Sequence, residues 1–442
     1  MASTVYFMDD RASGFQDSMV AKMLGLFDLA GFAQLIRPRD VVAIKMHMGE
    51  WNNTGYLRPV YARALADKVK SLGGIPFVTD TTTLPYAVWS SRVSALDHLI
   101  TDERNGFNSG TVGCPVIIAD GYLGTDDVQV DMPEGLTLKQ AFVATAIAVA
   151  DVVILLSHFK GHGVGVIGGA IKNLGVGCAS KRGKFNLHGC GDTRYGLAGS
   201  DFHPEVCKGR ACPTWELCDQ VCSFGAIHIT EAGMIFEPEK CRSCFSHRSV
   251  VTCGALTPPK DWGEVNPVAI ADAAYGARKA IGNGRIACIN LAMDISPMCD
   301  CLGYSDRPIV PNIGVFASTD PVAIDMACVD AVTAAPGIPG SVAEIKGVHH
   351  PGDIKHDKCS SLMGASQYIQ IKSAQKLGLG IADYELVKID RLPAAQPYVF
   401  NPVPGTAPEP IGVRYGSRFA KLPFFPEEGF RRHSDVDITD LR

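Results

Sequence analysis

Seven cysteines, Cys207, Cys212, Cys218, Cys222, Cys241, Cys244 and Cys253, fall in one short stretch of a 442-residue chain that holds 15. Thiols at that density serve either a disulfide framework or a metal, and the first requires an oxidising compartment. The chain opens MASTVYFMDD, with acids where an export leader carries basic and then apolar residues, and no unbroken apolar run reaches membrane-spanning length. A cytoplasmic location without a membrane partner is therefore expected, and the cysteines read as metal ligands.

Their spacing resembles bacterial ferredoxins, in which each half carries C-x2-C-x2-C-x3-C-P and the last cysteine of each half serves the other half's cluster. The first half, CKGRACPTWELCDQVCSFGAI (207–227), keeps Cys218-x3-Cys222 and spreads Cys207 and Cys212 farther apart. Aligning Gly254-Ala255-Leu256 with Gly225-Ala226-Ile227 puts Cys241, Cys244 and His247 at the first ligand positions of the second half. Val251 takes the fourth position, with Cys253 displaced by two residues. Crossed ligation predicts one or two [4Fe-4S] clusters: the first on Cys207, Cys212, Cys218 and Cys253, and, where there is a second, on Cys222, Cys241 and Cys244 with His247 as the candidate fourth ligand. Tetrahedral zinc on paired thiolates is the competing reading, and His247 read alone is a surface polar residue.

A second set of chemical groups lies outside this stretch. Lys45, His47, His158, Lys160 and His162 follow apolar runs and are candidate catalytic groups, the histidines as acid, base or metal ligands. The plain alternative is that His158 and His162 bond the backbone of a tight glycine turn. In GVGVIGGAIKNLG (163–175), Gly168 and Gly169 permit close backbone approach while Lys172 and Asn173 offer anion contacts, joined by Lys184 and His188 from GKFNLH. The stretch is neither a Walker A loop nor a dinucleotide fingerprint. Cys299 and Cys301 in MCDC share a face if the strand continues, and are candidates for an additional metal or redox contact. Asp320 before Pro321 reads as a helix N-cap, and Asp325 as structural.

The elements that position these groups alternate. Residues 40–49 read as a strand, 56–74 as a helix and 75–80 as a strand. The order repeats as strand 115–120, helix 138–150 and strand 151–157, then resumes with helix 267–281, strands 285–292 and 312–319, and helix 320–332. A helix near 363–377 and a strand at 384–389 close the pattern. Alternation of this kind predicts an α/β fold, a parallel-sheet domain with helices on both faces, interrupted by a small bacterial-ferredoxin-like (α+β) module. The expected domains are 1–200 and 261–390 for the α/β body, 201–260 for the insertion and 391–442 for an extended proline-rich tail. In such sheets the carboxyl ends of the strands gather the ligand groups. With 41 basic against 46 acidic residues, the net charge of −5 gives no basic surface for nucleic acid.

The strings KMHMGEWNNTGYLRP, TDTTTLPY, IADGYLG, SHFKGHGVGVIGGAIKNLGVGC, SPMCDC and IGVFASTDPVAID together resemble the DUF362 family, proteins of uncharacterised function often described as iron-sulfur centre proteins. The resemblance covers most of residues 40–385 and implies an inserted ferredoxin-like module. The function expected is an iron-sulfur redox protein, an oxidoreductase that acts on an anionic small molecule in the crevice and draws on an external electron carrier. Two alternatives stand beside it: a non-catalytic electron-transfer or cluster-delivery protein, and a non-redox lyase or isomerase with a metal centre as Lewis acid. Homo-oligomerisation is left open.

Overall fold

Apolar residues on both faces of a strand require cover on both sides. The computed structural model supplies it for the strands Val152–His158 and Ile286–Ala292, in which every residue is buried. The structure describes residues 2–85, 90–191, 200–242, 244, 246–259, 261–282, 284–351 and 357–392, with scattered positions beyond. The chain divides into Met1–Gln396 and Pro397–Arg442. The tail expected from 391 onward lies almost wholly outside the described residues.

The strands run β1 Ser3–Asp9, β2 Val41–Lys45, β3 Ile75–Asp80, β4 Val116–Ile118, β5 Asp127–Asp131, β6 Gln140–Ala144, β7 Val152–His158, β8 Lys160–His162 and β9 Val166–Gly168. They continue as β10 Asp201–Phe202, β11 Ile227–Ile229, β12 Met234–Phe236, β13 Leu256–Thr257, β14 Ile286–Ala292, β15 Gly314–Ser318 and β16 Tyr384–Lys388. Eight of them form the main sheet in the order β16-β1-β15-β14-β7-β2-β3-β4. Its central strands are parallel, β14 to β7, β7 to β2, β2 to β3 and β3 to β4. β15 runs against both neighbours. The sheet is therefore mixed, not wholly parallel as expected. The reason is the link from β14 to β15, a loop that returns at the same end of the sheet instead of a crossover helix.

Several helices begin as their sequences require. Pro59–Ser71 has proline in its first turn. Pro321–Ala334 is capped by Asp320, whose carboxylate accepts from the amides of Val322 and Ala323 at 2.8 and 3.0 Å. The helix expected over 138–150 is different: β6 pairs with β5 antiparallel, and only Thr145–Ala148 is helical. A short apolar run has no period that separates strand from helix, and the buried helix Trp262–Ile281 covers this one. The opening residues, unread in the sequence, supply β1 between β15 and β16.

Between residues 200 and 260, β10 pairs with β13, β11 pairs with β12, and a helix spans Trp215–Gln220. These pack on a small core of Cys218, Ile227, Ile229, Met234, Val250, Val251, Ala255 and Leu256. The observed architecture is thus an α/β fold with a large mixed sheet, flanking helices and small antiparallel two-stranded pieces. Among the described residues no helix is long and apolar enough to cross a membrane.

Candidate active-site crevice

The carboxyl ends of β2, β3 and β7 deliver Lys45, Asp80 and His158 to one cavity of about 290 Å³. Its wall also holds His47, Lys160, His162, Gly168, Gly169, Lys172, Asn173, Lys184, His188, Cys299 and Cys301. The structure thus brings together every candidate residue of the α/β body. Arg92, Thr81 and Trp262 line it as well. Sequence reasoning missed them, and only Trp262, the first residue of a long helix just past the cysteine-rich stretch, carried a positional hint.

Most of the cations here have counter-charges. Lys45 Nζ lies 2.9 Å from Asp80 Oδ1 and donates to Asn173 Oδ1 at 3.0 Å. Burial alone would raise the Asp80 pKa, but its neighbouring cations, Lys45 first, bring it far below the carboxylate range. Gly177 allows this packing, since a Cβ there would stand 2.7 Å from Lys45 Nζ. Lys160 Nζ reaches Asp300 Oδ2 at 2.9 Å, and the His158 ring sits between Asp300 at 3.0 Å and the Met293 carbonyl at 2.7 Å. Burial again opposes ionisation of Asp300, and the charges of His158 and Lys160 outweigh it.

Lys184 differs. Its Nζ donates to two neutral oxygens, Thr81 Oγ1 at 2.5 Å and Ala179 O at 2.6 Å, and burial pushes its pKa down to about 8. His47 is pushed down to about 4, by burial first and then by Arg92. The Gly49 amide donates to its Nδ1 at 2.9 Å, so the neutral ring carries its proton on Nε2, a buried atom with no hydrogen-bond partner among the described residues.

His162, Cys299 and Cys301 bring one ligand atom each to within 4.8 Å of one another. β8 and the loop from β14 to β15 meet through the Gly161 amide, which donates to Ser296 O at 3.0 Å. Cys301 Sγ stands 3.9 Å from His162 Nε2, and Lys172 Nζ 3.7 Å from Cys299 Sγ. Cys301 hydrogen-bonds Cys299 and, with Lys172 and His162 beside it, holds it well below the usual thiol range. Cys301 is raised in return. The amides of Val164 and Gly165 donate to His162 Nδ1 at 3.2 and 2.7 Å, so the glycine-turn reading holds for that nitrogen. Both ring nitrogens of His158 already face oxygens, of Asp300 and of the Met293 backbone, so neither is turned toward the three convergent side chains.

In the cysteine-rich stretch, the Cys218 pKa is pushed up to about 11, by burial first and then by the neighbouring Cys212, Cys253 and Cys207. His247, read alone as a surface residue, is buried, with Nε2 3.1 Å from Ser200 Oγ. Neither these cysteines nor His247 belongs to a converging ligand group: among the described residues that group is His162, Cys299 and Cys301.

The fold and crevice define an α/β protein with a strand-end ligand site and a thiol-imidazole donor set. The chain belongs to the family described as a domain of unknown function (DUF362), whose model matches residues 42–330. The structure of the lactate racemase apoprotein from Thermoanaerobacterium thermosaccharolyticum is similar to it, with a TM-score of 0.37 and 11% identity, covering 88% of this chain and 83% of that one. No curated protein matches the chain.

The iron-sulfur part of the resemblance is corrected. The family model carries no such description, and the donors that converge lie in the crevice, not at Cys207–Cys253. The expected [4Fe-4S] clusters fall with it, as do the oxidoreductase reading and the external electron carrier. The physical reason is that the ferredoxin-like spacing was read as ligation, whereas spacing along the chain does not by itself set the distances between thiols.

Proposed function

We propose that the crevice is the active site of a non-redox lyase or isomerase that uses a metal ion as Lewis acid on an anionic small molecule. The observation that carries this reading is the convergence of His162, Cys299 and Cys301 on the wall of a cavity rich in lysine. Cys299 and Cys301 are the anionic donors. His162 holds the ion through Nε2 as a neutral ring with its proton moved to Nδ1, which requires Nδ1 to give up the bonds from the Val164 and Gly165 amides, and the proton released on uptake comes from the Cys301 thiol. The ion's contribution is to polarise an oxygen of the substrate.

The chain's own groups do the rest. Lys172 and Lys160 hold the substrate's negative charge, and Asp300 fixes Lys160 in turn. Lys184, with a pKa near neutrality and no carboxylate contact, takes the proton from carbon. His47 Nε2–H donates to the oxygen on which charge develops. The reaction is expected of the α/β body, 1–200 and 261–390. The insertion, proposed as a discrete module of ferredoxin-like outline, takes no part in it, and a cytoplasmic setting suits the exchangeable thiols.

The test is cobalt(II) titration of anaerobically purified protein, followed by a screen of small hydroxy and oxo acids for proton exchange from carbon in D2O. Thiolate-to-cobalt absorption that vanishes in Cys299→Ser and Cys301→Ser, with metal-dependent exchange and no electron acceptor consumed, is the expected result. Cobalt absorption unchanged by both substitutions, or exchange that requires an electron acceptor, rejects the proposal.

A further inference from the structure

Behind the crevice lies a second group of ionisable side chains that the proposed reaction does not use. His98 and Asp102 sit one turn apart on the helix Ala95–Arg104, and both are wholly buried. His98 Nε2 is 3.5 Å from Asp102 Oδ1 and 3.8 Å from Asp80 Oδ2. Neither ring nitrogen of His98, neither oxygen of Asp102 and not Oδ2 of Asp80 makes a hydrogen bond among the described residues.

Ionised groups buried without hydrogen bonds are costly, so the arrangement favours whichever charge state leaves fewest of them. Asp80 is compensated by Lys45, and Arg92 Nη1 stands 4.0 Å from its other oxygen. Among the described residues Asp102 has no cation of its own at contact distance other than a potential imidazolium. A carboxylic acid on Asp102 facing a neutral His98 removes both unpaired charges at once. Burial raises Asp102 and lowers His98 in that sense. The titratable and charged groups that face His98 are Asp80, Arg92, His47 and Lys184, and those that face Asp102 are Asp80, Arg92, Glu50 and Glu103.

We infer that Asp80 has two alternative counter-cations, Lys45 from the crevice and His98 from beneath, and that Asp102 stores the proton that converts one arrangement into the other. When an anion in the crevice draws Lys45 from Asp80, the proton leaves the Asp102 carboxyl for His98 Nε2. The resulting imidazolium then stands between the two carboxylates. His98 and Asp102 are positioning residues: they touch no substrate, but they let Lys45 turn to an anion without leaving a bare carboxylate beneath it. This inference rests on the crevice being an anion site.

The test reads charge states and needs neither metal nor turnover, so its failure is distinct from failure of the Lewis-acid reading. In protein with 15N-labelled histidine, the His98 signals, assigned by their loss in His98→Gln, are expected to be those of a neutral ring at pH 7. In Lys45→Gln, which removes the crevice cation, they are expected to become those of an imidazolium at the same pH. Infrared difference spectra of the native chain against Asp102→Asn are expected to show a protonated carboxyl band at pH 7, which decides the matter even if Lys45→Gln does not fold. A neutral His98 in folded Lys45→Gln, or no protonated carboxyl assignable to Asp102, overturns the inference.

Discussion

Replacing Lys184 by Met removes a crevice lysine that, among the described residues, donates only to neutral oxygens, and its effect on stability has a definite dependence on pH. The amine titrates at about 8 in the folded chain against an ordinary value of 10.5. Between those values the unfolded chain holds a proton that the folded chain has released, so stability rises with pH across that window. Below about pH 8 the buried ammonium is a full cost. At about 1.4 kcal/mol per pH unit, the window corresponds to roughly 3 kcal/mol. Lys184→Met abolishes that contribution. It also forfeits the bonds to Thr81 Oγ1 and Ala179 O, worth about 1 kcal/mol each, so at pH 7 the two effects nearly cancel. The discriminating quantity is the difference between the two proteins in urea unfolding at pH 7, 8.5 and 10. The native chain should gain on the variant by roughly 2.5 kcal/mol across the series, which ends half a unit short of the full window. Parallel stability curves would refute the assignment of a depressed pKa to this amine, and with it the choice of Lys184 as proton acceptor.

Two further substitutions probe the walls of the site. Asp300→Asn leaves Lys160 buried without its carboxylate at 2.9 Å, and should cost about 3–5 kcal/mol in denaturant unfolding; a loss below about 1 kcal/mol would mean the pair is solvated. Gly161→Ala places a Cβ 2.2 Å from the Pro297 carbonyl oxygen, where β8 meets the loop that carries Cys299 and Cys301. The chain should still fold, with cobalt affinity at the crevice reduced by tenfold or more in anaerobic titration, and unaltered affinity would show that the three donors do not depend on that contact.

The parts of the fold legible in the sequence were those with an unambiguous period or a chemical marker. β3 falls on the expected residues, and Asp320-Pro321 marks its helix start as read. The gathering of Lys45, His158, Lys160, His162, Lys172 and Lys184 followed from the rule that ligands collect at strand ends. The apolar run around β6 was misread because strand and buried helix share that composition. The buried pair of His98 and Asp102 left no trace, since a histidine and an aspartate four apart on a helix are ordinarily a solvated surface pair.

The three convergent side chains came from two readings, a cysteine pair and a histidine pair, which the sequence assigned to one crevice without joining them as one ligand set. Cys299 and Cys301 were seen as a pair, and His162 as a partner of His158. What unites Cys299 and Cys301 with His162 is the reversal of β15. A crossover connection after β14 would have carried the chain away from the crevice, whereas the return loop keeps Ser296 to Cys301 at the carboxyl end of β14, against β8. The same loop provides Asp300, which engages the His158 ring and holds Lys160 in place. One antiparallel strand in an otherwise parallel sheet thus decides which histidine converges with the two thiols and which cation is fixed beside it.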